Sequence, residues 1–334
     1  MTVKIGINGF GRIGRMVLRS IIENNRKDIE VVAINNKGNP EVSSFLLKHD
    51  TIHGKLKAQI NYSSHSIEIN SKKIAIINEK EISKIDWKKH KVDIVLECTG
   101  KFNTKEKSGE HINSGAKKVL VSAPCKNTSS IIFGVNHKNL KSTDKIISAA
   151  SCTTNCIAPI AKVLNDNFGI ERGFMTTIHS YTSDQRLLDN SHKDLRRARS
   201  APNSLVPTST GATKSLGDVI PELKGKVEGI SIRVPTPNVS LVEFVFSSNQ
   251  NLSAEKINNS FSKASKSELK NILDTNNEQL VSSDFNHNPH SAIIDLSLTK
   301  VTDGKMAKVS AWYDNEWGYA NRMCDLAVYF GNIN

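Results

Sequence analysis

The N-terminal glycine pattern restricts the fold of this chain more than any other feature of its sequence. Gly9, Gly11 and Gly14 follow the apolar run Val3–Ile7, which predicts a strand, and they open a predicted helix. In this position a Gly-x-Gly-x-x-Gly pattern is typical of a βαβ unit. The first glycine permits a tight turn, the second lets a pyrophosphate approach the backbone, and the third packs helix on strand. The pattern therefore predicts a dinucleotide site at a helix N-terminus.

Short apolar runs alternate with polar, helix-like stretches up to about residue 150. This alternation predicts an α/β Rossmann-type, doubly wound sheet that is mostly parallel. The predicted strands are Val3–Ile7, Val31–Asn35, Val92–Cys98, Val119–Ser122 and Lys145–Ser148. Residues 57–69 differ, because the turn residues Ser63 and Ser64 separate two alternating segments, and they predict a hairpin inserted in the sheet.

The second half of the chain has longer runs in which apolar and polar residues alternate. They predict an α+β domain with a mostly antiparallel sheet, and they cover Gly229–Arg233, Val239–Ser247, Ser291–Val301 and Ala307–Tyr313. The C-terminal tail has apolar residues at three- and four-residue spacing, which predicts an amphipathic helix that returns to the first domain. We therefore assign a dinucleotide-binding domain to residues 1–150 and 316–334, and a catalytic domain to residues 151–315.

The net charge of +12 comes from lysines and arginines spread along the chain. Such a distribution predicts a solvated basic surface that suits small anionic substrates, and no specific nucleic acid. The one dense cluster, Lys193 with Arg196, Arg197 and Arg199, lies between other motifs and favours a phosphate site. No stretch is long and apolar enough to span a membrane, and the N-terminus runs into a strand without a signal peptide, so we predict a cytoplasmic protein.

The cysteines indicate a reactive thiol. The chain has five, with no Cys-x-x-Cys pair, which predicts reduced thiols and no metal site. Cys152 falls in the first turn of a helix predicted to continue through Leu164, where exposed N–H groups and the helix dipole would lower the thiol pKa. Cys156, one turn deeper, is predicted to be buried and structural. His179 ends the predicted strand Phe174–Ile178, where a histidine can meet a helix terminus.

Several multi-residue motifs follow one another along the chain. They are Ile7–Gly14, Ala150–Asn155, His179–Thr182, Asp194–Arg199, Pro207–Gly211, Arg233–Asn238 and Trp312–Gly318. In this order they resemble the phosphorylating glyceraldehyde-3-phosphate dehydrogenases over nearly the whole length of the chain. The resemblance supports a catalytic role for His179, which the position of a histidine at a strand end would not support by itself.

The resemblance implies a mechanism. The Cys152 thiolate would attack an aldehyde carbon, with His179 as base and then as proton donor to the oxyanion of a thiohemiacetal. Hydride would leave for the nicotinamide of NAD, and inorganic phosphate would attack the resulting thioester. Glyceraldehyde 3-phosphate would thus give 1,3-bisphosphoglycerate, in glycolysis or gluconeogenesis. The resemblance also implies a homotetramer.

The same resemblance assigns residues to the two ligand sites. The cofactor-binding positions, including those of the glycine motif, are Gly9, Gly11, Arg12, Ile13, Gly14, Asn36, Thr99, Ser122 and Asn315. The positions that contact substrate or phosphate are Ser151, Thr153, Thr182, Arg197, Thr210, Gly211 and Arg233. Thr182 and Arg233 match the side that holds the substrate phosphate, and the others are not divided between the two anion pockets.

Cofactor preference depends on two positions. NAD-specific Rossmann sites carry an acidic side chain at the end of the second strand, which binds the ribose 2′-hydroxyl. Here that strand ends in Asn35, Asn36 and Lys37, so a 2′-phosphate is not repelled. Ser191 stands before a histidine where NAD-specific members usually carry proline. We therefore hypothesise that NADP is accepted alongside NAD or instead of it.

Two other functions compete with this interpretation. Erythrose-4-phosphate dehydrogenase shares the fold, the cysteine and the histidine but hydrolyses its thioester, and residues 283–290 are compatible with it. The tyrosine–threonine pair Tyr181 and Thr182 argues against that enzyme. A basic nucleic-acid-binding protein on a Rossmann scaffold is the more distant alternative, because only 6% of the residues are aromatic and no stacking platform is evident.

Overall fold

The computed structural model describes residues 2–333, and the chain folds into two compact units. Unit 1 is formed by the chain up to Ile131, by His137–Ser151 and by the chain from Ala320 onward. Unit 2 is formed by Ile132–Asn136 and Cys152–Tyr319. Each unit contains one large sheet.

The strands of unit 1 form the mostly parallel sheet that the sequence predicts. They are β1 (Val3–Asn8), β2 (Ile29–Asn35), β3 (His49–Asp50), β4 (Gly54–Lys55), β5 (Ile60–Ser63), β6 (Ser66–Ile69), β7 (Lys72–Ile77), β8 (Ile94–Glu97), β9 (Lys118–Val121), β10 (Ser129–Ser130) and β11 (Ile146–Ser148). Nine of them form one sheet in the order β10-β11-β9-β8-β1-β2-β7-β6-β5, while β3 pairs with β4 separately. The helices are α1 (Arg12–Glu23), α2 (Pro40–Lys48) and α3 (Lys105–Asn113).

The strands of this sheet run in the directions that the sequence predicts. Seven neighbouring strands, β10, β11, β9, β8, β1, β2 and β7, are parallel, whereas β6 pairs antiparallel with both β7 and β5. The predicted hairpin is confirmed as β5 and β6, and the hydroxyl oxygens of Ser63 and Ser66 lie 2.8 Å apart at its turn. Every residue of β8 and β9 is buried, as a parallel strand covered on both faces requires.

Unit 2 contains the mostly antiparallel sheet. Its elements are α4 (Cys152–Phe168), β12 (Arg172–Ser180), β13 (Val206–Ser209), α5 (Ala212–Val219), β14 (Val227–Val234), β15 (Ser240–Ser247), α6 (Ala254–Lys266), β16 (Leu273–Asn276), β17 (Ala292–Asp295), β18 (Lys300–Thr302) and β19 (Met306–Tyr313). The sheet order is β13-β14-β12-β15-β19-β17-β16, and β18 also pairs with β19. Only β12–β14 and β16–β17 run parallel, so the predicted α+β domain is confirmed.

One predicted strand is wrong. The run from Ser291 to Val301 does not form a single strand, because β17 ends at Asp295 and a short 3-10 helix covers Leu296–Leu298. The Asp295 carboxylate accepts hydrogen bonds from Ser297 Oγ at 2.7 Å and from the indole of Trp312 at 3.1 Å. A side chain that bonds the residue two positions later stabilises a turn, and this turn interrupts the strand although the apolar alternation continues.

The tail forms the predicted helix, α7 (Trp317–Asn332), but this helix is buried around most of its surface rather than along one face, as an amphipathic helix would be. From Ala320 onward it belongs to unit 1, where the Lys118 ammonium donates to the carbonyl of Phe330 at 2.7 Å. Within residues 2–333, none of the helices has the length and apolarity that crossing a membrane needs. In the same part of the chain, no three acidic, histidine or cysteine side chains are grouped so as to hold a metal ion.

Candidate active site

The first turn of α4 presents a cysteine to a histidine of the neighbouring strand. Cys152 is the first residue of α4, and its Sγ lies 3.4 Å from Nε2 of His179, the penultimate residue of β12. The turn that leads into the helix contains Ala150 with a φ of 53°, a left-handed conformation that is strained for a residue with a side chain. Cys152 is partly exposed, whereas His179 is buried. The thiol can therefore meet a ligand from solvent while the imidazole stays enclosed.

The other ring nitrogen of His179 has two competing partners. Nδ1 lies 2.6 Å from the carbonyl oxygen of Ser180 and 2.9 Å from Nη1 of Arg233. The carbonyl needs a proton on Nδ1, whereas the guanidinium can only donate, so a neutral ring satisfies one contact at a time. With the proton on Nδ1, the lone pair of Nε2 faces Cys152. With Arg233 donating to Nδ1, the proton is on Nε2 and no base faces the thiol.

The environment keeps both reacting groups neutral. Burial and then the positive charge of Arg233 lower the pKa of His179 to about 3. Burial raises the pKa of the Cys152 thiol, although Arg233 and hydrogen bonds at Thr153 act in the opposite direction. The predicted lowering of the thiol pKa is therefore wrong, because partial burial of Cys152 outweighs the effect of the helix terminus. The thiol therefore keeps its proton, and the neutral imidazole that faces it is a weak base.

A buried tyrosine connects the nucleophile to two strands. The hydroxyl of Tyr313, on β19, lies 2.9 Å from Oγ1 of Thr153 and 2.9 Å from Oγ1 of Thr177. Its ring also packs edge-on against His179, with the centroids 5.9 Å apart. Burial raises the pKa of this hydroxyl, which therefore remains a neutral group. Sequence reasoning did not assign Tyr313 to the site, although the residue falls inside one of the motifs.

Arg233, on β14, is a cation with incomplete pairing. It is half-buried, and Nη1 also donates to the carbonyl of Ser180 at 3.2 Å. Its Nε is buried and has no hydrogen-bond partner among residues 2–333. The carboxylate of Asp184 acts on this guanidinium only through its charge, and the hydrogen-bond partners of Nη1 are a neutral imidazole and one carbonyl. This position therefore favours an anionic ligand beside the thiol.

The other predicted anion-binding residues lie in the loop after β12 and around β13. Arg197 donates to Asp184 at 2.6 Å and to Thr208 Oγ1 at 2.9 Å, and its charge also lowers the pKa of His179. The backbone N–H and the hydroxyl of Thr182 donate to Gln185 at 2.8 and 3.1 Å. Thr210 Oγ1 accepts from the N–H of residue 212, and Gly211 is the N-cap of α5. Ser151 directly precedes the nucleophile.

Unit 1 has a pocket at the point where its sheet changes winding direction, beside β1 and β8. Its lining residues are Asn8, Gly9, Phe10, Gly11, Asn35, Asn36, Lys37, Glu79, Lys80, Ile82, Cys98, Thr99, Lys101 and Phe102. Ligands of doubly wound sheets bind at such a switch point. Of the predicted cofactor residues, the lining brings together Gly9, Gly11, Asn36 and Thr99.

The three motif glycines have the geometry that a dinucleotide cradle requires. Gly9 has a φ of 95°, and a Cβ there would lie 2.8 Å from the backbone nitrogen of Thr99. A Cβ on Gly14 would lie 2.3 Å from the carbonyl oxygen of Gly9, so only glycine allows α1 to pack this closely. A Cβ on Gly11 would meet no atom within 4 Å, and it would project into open space at the N-terminus of α1. That open space lies where a pyrophosphate would approach.

The remaining predicted cofactor residues lie outside this lining. Arg12 forms a bidentate ion pair with Asp50. Burial opposes ionisation of Asp50, yet the bonds from Arg12 and two backbone N–H groups lower its pKa to about 2. Ser122 donates to the carbonyl of Glu97 at 2.9 Å, and Ile13 is partly buried in α1. Asn315, in unit 2, is buried, and its Oδ1 accepts from Ser240 Oγ at 2.9 Å.

Comparison with known proteins gives consistent matches over most of the chain. The model of the family domain described as "Glyceraldehyde 3-phosphate dehydrogenase, NAD binding domain" matches residues 3–105, and the corresponding C-terminal domain matches residues 151–315. The chain is 50% identical over 334 residues to a glyceraldehyde-3-phosphate dehydrogenase of Cereibacter sphaeroides, with all of both chains covered. It is equally similar to that of Xanthobacter flavus. Glyceraldehyde-3-phosphate dehydrogenase 2 of Bacillus subtilis is 49% identical, over 98% of this chain and 96% of the relative.

Proposed function

The chain belongs to the glyceraldehyde-3-phosphate dehydrogenase family, and on this premise we propose that it oxidises glyceraldehyde 3-phosphate to 1,3-bisphosphoglycerate with NAD and inorganic phosphate. The observation that carries the proposal is the Cys152 thiol 3.4 Å from the neutral base His179, beside the incompletely paired Arg233. Oxidation of a phosphorylated aldehyde through a covalent intermediate needs a nucleophile, a base and a cation that binds the phosphate. Erythrose-4-phosphate dehydrogenase is not favoured, since the relatives named above are all glyceraldehyde-3-phosphate dehydrogenases.

The pocket of unit 1 fits NAD. The open space at Gly11 and the N-terminus of α1 would receive the pyrophosphate, and Asn36 and Lys37 would lie beside the adenosine ribose. When bound, NAD supplies the acceptor for the hydride that leaves the substrate. In unit 2, Ser240 fixes the side-chain amide of Asn315 by bonding its Oδ1, which leaves Nδ2 to hold the nicotinamide carboxamide.

The first chemical step uses the protein's own proton acceptor. His179 Nε2 takes the proton from Cys152 as Sγ bonds to the aldehyde carbon, and the carbonyl electrons move to oxygen. The imidazolium then returns the proton to this oxyanion, which gives a thiohemiacetal. His179 removes the same proton again as the hydride leaves, and a thioester on Cys152 remains. Phosphate attacks the thioester carbon, and the Cys152 thiolate is the leaving group.

Arg233 couples substrate binding to activation of the base. A substrate phosphate that receives the Arg233 N–H groups draws them away from Nδ1 of His179. Nδ1 is then free to donate its proton to the Ser180 carbonyl, and the lone pair of Nε2 faces the thiol. The phosphate charge also offsets the cation that lowers the pKa of His179. Thr182 would share this anion, and Arg197 with Thr153, Thr210 and Gly211 would serve the substrate and the attacking phosphate.

We also propose that NADP is accepted. Asn36 lines the pocket without a charge, and its Nδ2 donates to Ser43 at 3.0 Å. Lys37, Lys80 and Lys101 line the same pocket, whereas Glu79 is its one carboxylate among the described residues. An excess of positive charge around a neutral residue suits a 2′-phosphate.

Higher-order organisation is part of the same proposal. Leu187, Leu188, Leu195 and Leu205 are highly exposed in and just after the loop that follows β12, and an interface would cover them. This supports association with another chain, and we propose that the assembly is the homotetramer that the resemblance implies. We assign cofactor binding to residues 1–150 and 316–334, and catalysis to residues 151–315, the range that the C-terminal family model also matches. The five unpaired cysteines support a reducing cytoplasmic location.

Initial rates of NAD reduction with glyceraldehyde 3-phosphate, with and without inorganic phosphate, test the central proposal. We expect phosphate-dependent reduction that Cys152→Ala abolishes. Cys156→Ala is the matched control, because Cys156 lies one turn deeper in α4 and is fully buried. Reduction that needs no phosphate would indicate hydrolysis of the thioester, and activity that survives Cys152→Ala would exclude the proposed nucleophile.

A further inference from the structure

A row of polar groups crosses the carboxyl ends of four neighbouring strands, at the base of the pocket in unit 1. The buried side chains of Asn8, Asn35 and Glu97 end β1, β2 and β8, and the backbone of Glu79, which follows β7, completes the row. Asn35 exchanges two hydrogen bonds with the backbone of Glu79, at 2.9 and 3.0 Å, and its Nδ2 also donates to Asn8 at 2.8 Å. Asn8 in turn donates to the Glu97 carboxylate at 2.6 Å. The row therefore connects all four strands.

The row continues into α3 through a histidine with a fixed proton. His111 is fully buried, and the indole N–H of Trp87 donates to its Nδ1 at 3.0 Å. Because an indole nitrogen can only donate, Nδ1 carries no proton, and the neutral ring has its proton on Nε2. Nε2 lies 3.1 Å from Glu97 Oε2 and donates to it. Trp87 thus sets the tautomer that bonds the carboxylate.

Glu97 has a full complement of donors. Oε2 accepts from Asn8 and His111, and Oε1 accepts from the backbone N–H of Thr99 at 2.8 Å and from the Thr99 hydroxyl. The Thr99 backbone nitrogen is also the atom that a Cβ on Gly9 would approach to 2.8 Å. The carboxylate thereby fixes the turn that packs against the first glycine of the cradle.

We propose that Glu97 and His111 are positioning residues that hold the dinucleotide pocket in its binding geometry. The inference rests on the proposed binding of NAD. Neither side chain lines the pocket, yet Glu97 joins two residues that do, Asn8 and Thr99, and His111 donates to Glu97. Asn8 is bonded in turn to Asn35. The buried carboxylate and the histidine of fixed tautomer supply hydrogen bonds that restrict the movement of this base. NAD affinity is therefore set in part by groups that NAD does not contact.

His111→Leu tests the proposal, with His111→Gln as the conservative variant and His65→Leu as the matched control. Leucine can neither accept from Trp87 nor donate to Glu97, whereas glutamine has one oxygen and one amide nitrogen for these roles. His65 is an exposed histidine at the hairpin turn of unit 1. The dissociation constant of NAD is measured by calorimetry on the full chain, together with kcat, KM for both substrates and the thermal midpoint.

We expect the dissociation constant of NAD to rise about tenfold in His111→Leu, or ~1.4 kcal/mol of binding free energy. His111→Gln and His65→Leu should stay close to wild type, and kcat at saturating NAD should hold in all variants. Glu97→Gln, an isosteric change, should also weaken NAD binding, because an amide cannot accept from four donors. It carries the test if His111→Leu does not fold.

The outcomes separate this inference from the proposed function. Wild-type protein that fails to bind NAD would refute the proposed function. Wild-type protein that binds NAD, with variants that lose thermal stability but keep the wild-type dissociation constant, would refute the positioning role alone. An equal loss in His111→Leu and His111→Gln would also refute it, because the hydrogen bonds would then not be the cause.

Discussion

Replacing Arg233 by leucine should separate recognition of the substrate phosphate from the chemistry of the thiol. Nη1 of Arg233 lies 2.9 Å from His179 Nδ1, and its Nε is buried without a partner in residues 2–333. A hydrogen bond from this guanidinium to a phosphate oxygen is charge-assisted on both sides, which corresponds to ~1.5–3 kcal/mol. We therefore expect kcat/KM for glyceraldehyde 3-phosphate to fall about 10- to 100-fold in Arg233→Leu.

The comparison substrate is glyceraldehyde without its phosphate, assayed in the same buffer with the same concentration of inorganic phosphate. This aldehyde has no anion for Arg233 to meet, and the variant also lacks the guanidinium that competes for Nδ1 of His179, so its kcat/KM should hold or rise. Arg233→Lys is the conservative variant, since it keeps the charge but loses the planar fork and should recover part of the activity. Equal losses for the two aldehydes would refute the assignment of Arg233 to the substrate phosphate.

The pH profile of Arg233→Leu provides an independent readout. His179 must be neutral to act as base, so kcat/KM declines as pH falls through its pKa, which burial and Arg233 place at about 3. Without the cation that pKa rises, and the acid limb of the profile should move to higher pH. The Cys152 pKa should also rise, because Arg233 lowers it, and alkylation by iodoacetamide at neutral pH should slow. An unchanged acid limb would contradict this electrostatic coupling.

Three further substitutions test other parts of the structure. Asn36→Asp places a carboxylate in the pocket lining and should lower kcat/KM for NADP at least about tenfold relative to NAD, as measured by initial rates, through repulsion of the 2′-phosphate. Tyr313→Phe leaves the buried hydroxyls of Thr153 and Thr177 without their common partner, and urea denaturation should show a loss of ~1–3 kcal/mol. Asp50→Asn removes a carboxylate whose pKa falls from 3.8 to about 2 on folding, which corresponds to roughly 2 kcal/mol present above the unfolded pKa. Wild-type protein should lose this stability as pH falls from about 5 to about 2, and the variant should lack that part of the pH dependence.

Much of the fold follows from local patterns. The hairpin at β5 and β6 was predictable because two alternating segments flank a serine turn, and the parallel sheet because buried apolar runs recur between helical stretches. The interruption at Asp295 was not, because the side chain that ends β17 bonds both Ser297 nearby and Trp312 on another strand. The alternation of apolar and polar residues indicates which side chains face the core, but it does not indicate where a side-chain hydrogen bond turns the backbone.

Some features of the candidate site were likewise predictable from the sequence, and others were not. A cysteine at a helix start and a histidine at a strand end can be recognised in the sequence, and the structure places Sγ and Nε2 of this pair 3.4 Å apart. The partners of the pair could not be recognised, since the contact between Thr153 and Tyr313 joins residues 160 positions apart. The direction of the Cys152 pKa shift was also beyond the sequence, because desolvation depends on enclosure by such distant residues.

The neutral state of Cys152 and His179 follows from one arrangement, in which burial and Arg233 act on both groups. Burial disfavours the thiolate and the imidazolium alike, so both groups are held in their neutral forms. Arg233 favours the thiolate but disfavours the imidazolium, so its charge cannot stabilise both members of an ion pair. An anion bound to Arg233 offsets both effects, but it also draws the guanidinium from Nδ1, so that the tautomer whose Nε2 lone pair faces the thiol is favoured. We therefore expect the cation that recognises the substrate phosphate also to control which tautomer of His179 faces the thiol.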